Sequence, residues 1–265
     1  RWALMRKGSR LGELGRQRFA AQLGALATDD LPAEALVPDY ALGCKRILIA
    51  NDWYPTVLSP HVHTVTEPVE RVSASGIVAG GTERRADAIV FGTGFASTDF
   101  LAPMAVRGRG GLDLNEAWRD GAEAHLGMSV AGFPNLFLLY GPNTNLGHNS
   151  IVFMLERQIA YVLDAVRELA STSSTSLEVR AGVQAASNRR LRRELDRTVW
   201  ATDCHSWYKT HDGRITNNWS GPTIRYWWRT ARRRRDEFVR GGVRRPSTAP
   251  RVPASAHSGE VAEAG

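Results

Sequence analysis

The segment Asn135 to Leu169, NLFLLYGPNTNLGHNSIVFMLERQIAYVLDAVREL, constrains the fold more than any other stretch. Its apolar run Leu136 to Tyr140 lies between Phe133-Pro134-Asn135 and Gly141-Pro142-Asn143, so turn chemistry brackets what reads as a fully buried strand. After the loop Thr144 to His148, apolar residues recur at Ile151, Met154, Leu155, Ile159, Val162, Leu163, Val166 and Leu169. That spacing predicts a helix, with Asn149 or Ser150 as N-cap. Strand, glycine turn and helix N-terminus together suit an anion or an electron-rich ring edge. They equally suit an ordinary strand–loop–helix.

Around that segment, Arg46 to Ala50 (RILIA) and Asp87 to Phe91 read as two more short buried strands. The β-branched stretch from His61 to Val78, broken by a Ser-Ala-Ser-Gly turn, predicts two or three short antiparallel strands. Arg1 to Leu26 is basic and partly amphipathic, with Gly8, Gly12 and Gly15 weakening a long helix. Residues 96–129 read as a glycine-rich irregular excursion with a short helical piece near Leu114 to Trp118. Ser171 to Ser176 reads as a linker and Ala185 to Val199 as a charged helix. Trp200 to Trp228 is a Trp/Tyr-rich segment without clear periodicity, and a Pro/Ser/Ala/Arg tail follows from Gly241.

The formal net charge of +7 is largely local. Arg232 to Arg235, Arg240, Arg244, Arg245 and Arg251 stand against Asp236, Glu237, Glu260 and Glu263, so the body of the chain is only slightly basic. A nucleic-acid-binding reading would rest on that arm, and the tryptophans precede the arginines without interleaving; a solvated tail and no nucleic-acid partner are expected. No apolar run is long enough to cross a bilayer, so no membrane partner is expected. Cys44 and Cys204 sit in no metal-ligand spacing, which predicts reduced thiols, no metal site and a cytoplasmic protein.

Three groups of residues could carry chemistry. Gly92-Thr93-Gly94-Phe95 follows a strand-like run, and without a Cβ at the glycines the backbone can approach a flat or phosphorylated ligand; a plain turn fits as well. Lys45 and Arg46 alternate in direction along an extended backbone, so one could meet a phosphate while the other points into a cavity, or both could be solvated. Ser206-Trp207-Tyr208, with Arg214, Asn217 and Trp219 beyond, suits a pocket wall or a cap over a core edge.

In chain order the motifs are P-x-Y-x-x-G-C-K-R, N-D-W-Y-P, D-A-I-V-F-G-T-G-F, G-F-P-N-L-F-L-L-Y-G-P-N-T and S-W-Y before N-x-W-x-G-P. As a set, over Pro38 to Tyr226, this resembles the C-terminal half of the flavin-containing and Baeyer–Villiger monooxygenases (class B flavoprotein monooxygenases). The resemblance implies an α/β fold: part of a flavoprotein with two dinucleotide-binding domains for FAD and NADP, a small antiparallel β-meander and a helical C-terminal segment. Residues 1–38 would end the NADPH-binding domain and 39–170 would form the C-terminal half of the FAD-binding domain. Residues 171–240 would form a helical, aromatic substrate-side segment, and 241–265 a disordered basic tail.

By the same resemblance, Arg46 matches the active-site arginine beside the flavin, which stabilises negative charge there and on the ketone. Lys45 matches the lysine that contacts the NADPH 2′-phosphate, and Thr93-Gly94-Phe95 the second FAD-contacting turn. Asn143 and the loop to Asn149 and Ser150 match the segment that brings a helix N-terminus to the flavin pyrimidine edge. Trp207 matches a tryptophan on the nicotinamide and substrate side. The implied reaction inserts one oxygen atom of O2 into a small ketone, with oxygenation of N or S atoms, or an inactive truncated product, as alternatives. The sequence departs from the family in lacking any G-x-G-x-x-G. Those elements, and a carboxylate to pair with Arg46, are expected upstream of Arg1 in a missing N-terminal half; without them, exposed apolar faces and no retained flavin are expected.

Overall fold

Residues 2–29, 31–147 and 149–242 are described by the computed structural model. A 3-10 turn (Trp2–Met5) leads into helix α1 (Arg10–Gly24), where the Ser9 hydroxyl caps the amide of Gly12. Short helices α2 (Ala33–Leu36) and α3 (Trp53–Val57) follow. Strands β1 (Val69–Val72), β2 (Gly76–Ala79) and β3 (Thr82–Arg85) form an antiparallel meander in the order β1-β2-β3; the β-branched stretch accounts for β1 and β2, while its start at 61–68 forms no strand and β3 lies beyond it. Only β2 carries buried residues, so the meander is a thin flap rather than a core layer. Helix α4 (Leu114–Ala117) is capped by Asp113, whose carboxylate accepts from the amides of Asn115 and Glu116.

The centre is helix α5 (Ile151–Ser171). Its buried residues, Met154, Gln158, Tyr161, Ala165 and Glu168, alternate in steps of four and three, a stripe on one face. Helix α6 (Ala181–Leu195) and helix α7 (Thr223–Thr230) complete the helical layer, with α7 packed on α5. Strand β4 (Ser176–Val179) pairs antiparallel with β5 (Phe238–Gly241), and Leu177, Val179 and Phe238 pack on Tyr161 and Ala165. The two polar members of the α5 stripe are satisfied. Gln158 accepts from the amide of Tyr140 at 2.8 Å and donates to the Tyr226 hydroxyl at 3.0 Å. Glu168 accepts from Arg233 and from Arg240 at 2.7 Å.

Much of the core is irregular chain. Between Ala122 and Leu146 the backbone runs through the interior, burying His125, Leu126, Met128, Val130, Phe133 and Leu138. Its amides and carbonyls find partners in turns, in the bridge Ser129 to Phe137, and in Tyr226, which donates to the Leu126 carbonyl at 2.8 Å. Leu114, Trp118, Ala122 and Phe133 form one cluster; Met5, Leu195, Val199, Trp200 and Tyr208 form another.

Several expectations are corrected. None of the three apolar runs at 46–50, 87–91 and 136–140 forms a strand, and Leu48, Ile49, Val90 and Phe95 are 82%, 91%, 93% and 96% exposed. Among the described residues, no strand lies beside 46–50 or 87–91, and a buried strand exists only where neighbours take up its backbone hydrogen bonds on both edges. The expected exposure of apolar faces is therefore observed. On α5 it extends to a second stripe, Val152, Ile159, Leu163 and Val166, which is bare. Cys44 and Cys204 are not reduced thiols but a disulfide, with Cα atoms 6.5 Å apart. Helix α7 lies within the stretch read as aperiodic, and β4 begins in the stretch read as a linker. The charged helix lies at 181–195 rather than 185–199. From 243 onward the basic tail lies outside the described residues.

Candidate functional site

The Gly43-Cys44-Lys45-Arg46 segment is anchored at its start and free at its end. The Trp200 indole N–H donates to the Gly43 carbonyl at 3.0 Å, the Ser206 hydroxyl donates to the Cys44 carbonyl at 3.2 Å, and the disulfide joins Cys44 to Cys204. Gly43 has φ +86, a conformation that favours glycine, and a Cβ there would also press on the flexible end of Met5. Lys45 and Arg46 are exposed beyond these ties. The Lys45 ammonium stands over the Tyr40 ring, 4.4 Å from its centroid. Arg46 makes no ion pair among the described residues. Its positive charge reaches two phenols: burial pushes Tyr140 and Tyr208 above the ordinary tyrosine value, and Arg46 pulls both partly back.

Those phenols belong to a wall of polar and aromatic residues. The Tyr140 hydroxyl donates to Asn145 Oδ1 at 2.8 Å, and Asn145 Nδ2 donates to Asn218 Oδ1 at 2.7 Å in the buried interior. Backbone bonds from the Asn145 amide to the Asn217 carbonyl and from the Trp219 amide to the Asn145 carbonyl run beside this amide pair. Asn143, at φ +58, donates its side-chain amide to the carbonyls of Ile215 and Asn218 at 2.9 and 3.2 Å. The loop 143–146 is thus stitched to 215–219. The Trp207 carbonyl accepts from Ser97 Oγ at 2.6 Å and from Asn217 Nδ2 at 2.8 Å, which ties the end of the 92–97 turn to the same wall. The Trp207 ring leans on Tyr208 with centroids 4.5 Å apart and remains 43% exposed.

Arg46, Asn143 and Trp207 are thus brought to one connected region, and the turn holding Thr93, Gly94 and Phe95 is joined to it through Ser97. Thr93, Gly94 and Phe95 are themselves exposed; at Gly92 and Gly94 an added Cβ meets nothing within 4 Å, and Gly94 has φ +83. Asn149 and Ser150 lie apart, at the head of α5. Ser150 occupies the N-cap position without a side-chain cap bond, while Asn149 accepts from the Ser150 amide at 2.8 Å and donates to Thr223 Oγ1 of α7 at 3.0 Å. Lys45 is turned to Tyr40.

No family model matches the chain. It is 49% identical over 194 residues to a Baeyer–Villiger monooxygenase of Pseudomonas aeruginosa, a match covering 72% of this chain and 37% of that protein. An FAD-binding monooxygenase of Aspergillus niger is 38% identical over 241 residues, covering 87% of this chain and 40% of the relative. The solved structure of an oxidized steroid monooxygenase bound to NADP superposes with a TM-score of 0.76 at 26% identity, over 89% of this chain and 46% of that one. The chain belongs to the Baeyer–Villiger monooxygenase family.

It spans less than half the length of these family relatives. Its α/β elements are those of a partial two-dinucleotide-binding flavoprotein fold. Among the described residues no helix is long and apolar enough to cross a membrane, and no three His, Cys, Asp or Glu residues group as metal ligands. Sequence reasoning missed Ser97, Tyr140, Asn145 and Asn218 as members of the family chain's polar wall. The repeated Asn-rich signature, N-T-N at 143–145 and T-N-N at 216–218, was the available signal.

Proposed function

We propose that this chain supplies the flavin- and substrate-facing part of an FAD- and NADPH-dependent monooxygenase that inserts one oxygen atom of O2 into a ketone. The observation that carries this reading is Arg46: a guanidinium with no ion pair among the described residues, whose charge reaches Tyr140 and Tyr208 on a wall that continues to Trp207. A permanent cation without a carboxylate partner among the described residues suits negative charge that develops during reaction. Units consistent with the reading are 1–38 as the end of an NADPH-binding domain, 39–170 as part of an FAD-binding domain, 171–240 as the substrate side, and 241–265 as a tail.

The residues present fit an isoalloxazine. The Gly92 and Gly94 turn is open where a side chain would otherwise stand, so Thr93, Gly94 and Phe95 can lie against a flat ring. Helix α5 presents uncapped first-turn amides beside Asn149 and Ser150, and its dipole favours negative charge on a ring edge. FAD, when bound, supplies the redox chemistry with electrons from NADPH. Arg46 then holds positive charge at the reacting face, Lys45 leaves Tyr40 to meet a 2′-phosphate, Asn143 fixes the loop, and Trp207 shapes the nicotinamide and substrate side. In this reading the isolated chain lacks a glycine-rich diphosphate grip and is inactive alone, and the working enzyme is a cytoplasmic one that acts on small molecules rather than on nucleic acid or membrane.

The test is a fusion in which this chain replaces the matching stretch of the Pseudomonas aeruginosa relative, assayed for ester formation from a cyclic ketone with NADPH and O2. Ester should form, and R46A should lower its rate by about 100-fold or more while FAD remains bound. Equal ester formation by R46A and its parent would remove Arg46 from the chemistry.

A further inference from the structure

We infer that the Cys44–Cys204 bridge is a redox-operated latch that sets where Lys45 and Arg46 stand relative to Trp207; its consequence for the reaction rests on the role proposed above for Arg46. The bridge closes a sequence separation of 160 residues, and both cysteines are buried. On one side Cys44 directly precedes Lys45-Arg46. On the other, Cys204 lies three residues before Trp207. Every tie between the two segments converges on this point: the disulfide, the Ser206 hydroxyl on the Cys44 carbonyl, and the nearby Trp200 indole on the Gly43 carbonyl.

Beyond the bridge the arm has nothing else. From Lys45 to Asn51 no backbone or side-chain hydrogen bond reaches another segment among the described residues, and 45–50 are exposed throughout. The disulfide is therefore the last strong anchor before Arg46, and of the three ties it alone responds to reductant. Its reduction leaves the packing of Ala41 and Gly43 on the Met5–Val199 cluster and two hydrogen bonds, each of modest net worth, to hold the arm. A motion of about 1 Å at a catalytic cation is enough to change a rate substantially.

The exchange balances with a dithiol as reductant. A dithiol thiolate attacks Sγ of Cys204, the less deeply buried of the two, and the Cys44 sulfur leaves as a thiolate that takes a proton. The second thiol of the reductant then resolves the mixed disulfide, releasing Cys204 as a thiol and the reductant as its own disulfide. Two electrons and two protons pass to the protein, and an oxidised dithiol returns it to the bridged form. The cytoplasmic setting proposed above supplies dithiols of this class.

The test is hydrogen exchange of the full chain, read by mass spectrometry before and after dithiothreitol, with thiols counted in parallel. No free thiol should be found before reduction and both cysteines after it. The hydrogen-bonded amides beside the bridge, Cys44, Cys204, Tyr208 and Lys209, should exchange about tenfold faster once reduced, while α5 and the β4–β5 pair stay unchanged, and reoxidation should restore the slow rates. C44S/C204S should exchange like the reduced chain; should it fail to fold, the reversible reduction of the unaltered protein still decides. Free thiols at the outset, unchanged exchange on reduction, or faster exchange everywhere would each overturn the latch. R46A should show the same redox response, so a failed role for Arg46 and a failed latch give different results.

Discussion

The indole of Trp200 donates its N–H to the Gly43 carbonyl at 3.0 Å, across 157 residues of chain. The ring is fully buried among Met5, Leu195, Val199 and Tyr208, so the carbonyl just before Cys44-Lys45-Arg46 is held from the core rather than from the surface. W200F keeps most of the packing and loses the donor. It should cost about 1–2 kcal/mol in denaturant unfolding, against about 3–5 kcal/mol for W200A. A W200F variant as stable as the parent would mean that the hydrogen bond contributes nothing.

Glu168 contributes to the pH dependence of the helical layer. Burial alone pushes its carboxyl up, but hydrogen bonds from Arg233 and Arg240 more than offset this and leave it below the ordinary carboxylate value. A group depressed in the folded state stabilises above its unfolded value, near 4.5, and loses that contribution as pH falls from there through the lowered folded value. Thermal midpoints should therefore fall over that acid range. E168Q should flatten the slope and destabilise by about 3 kcal/mol near neutral pH, because it leaves the buried Arg233 to the half-exposed Asp164, 3.2 Å away, in place of a buried carboxylate.

The bare apolar arms make a separate prediction. Ile49 and Val90 touch little, so I49K/V90K should change stability by no more than about 0.5 kcal/mol while reducing binding of a hydrophobic dye and raising solubility. If both residues are packed in the folded chain, charge burial will cost several kcal/mol and the double variant will unfold.

Features coded by local spacing were legible in the sequence. Helix α5 follows from its apolar period, α4 matches the short helical piece near Leu114 to Trp118, and the first two strands of the meander follow from β-branched residues around a tight turn. What failed depends on partners distant in the chain. The runs 46–50 and 87–91 have strand composition, but composition cannot supply the neighbouring strands that make a strand. The β4–β5 pair joins residues about sixty positions apart, and neither half signals the other. Helix α7, TIRYWWRT, hides its period because its buried face is Tyr226 and Thr230 rather than aliphatic. The cysteines occupy no motif, so their pairing could not be read from spacing. At the site, the family resemblance singled out Arg46, Asn143 and Trp207 as candidates, whereas the Asn145–Asn218 amide pair emerged only when the two loops were seen side by side.

The central claim is that the Gly94 turn, Arg46 and the Trp207 wall face one flavin. Flavin absorbance per polypeptide in the Pseudomonas aeruginosa fusion tests it most directly, comparing the parent with G94V. Valine at φ +83 both strains the turn and fills the open face, without touching the core. The account predicts close to one FAD per parent polypeptide and little or none in G94V, with helix content preserved. A folded fusion without flavin, or a G94V form that holds FAD as well as its parent, would contradict it.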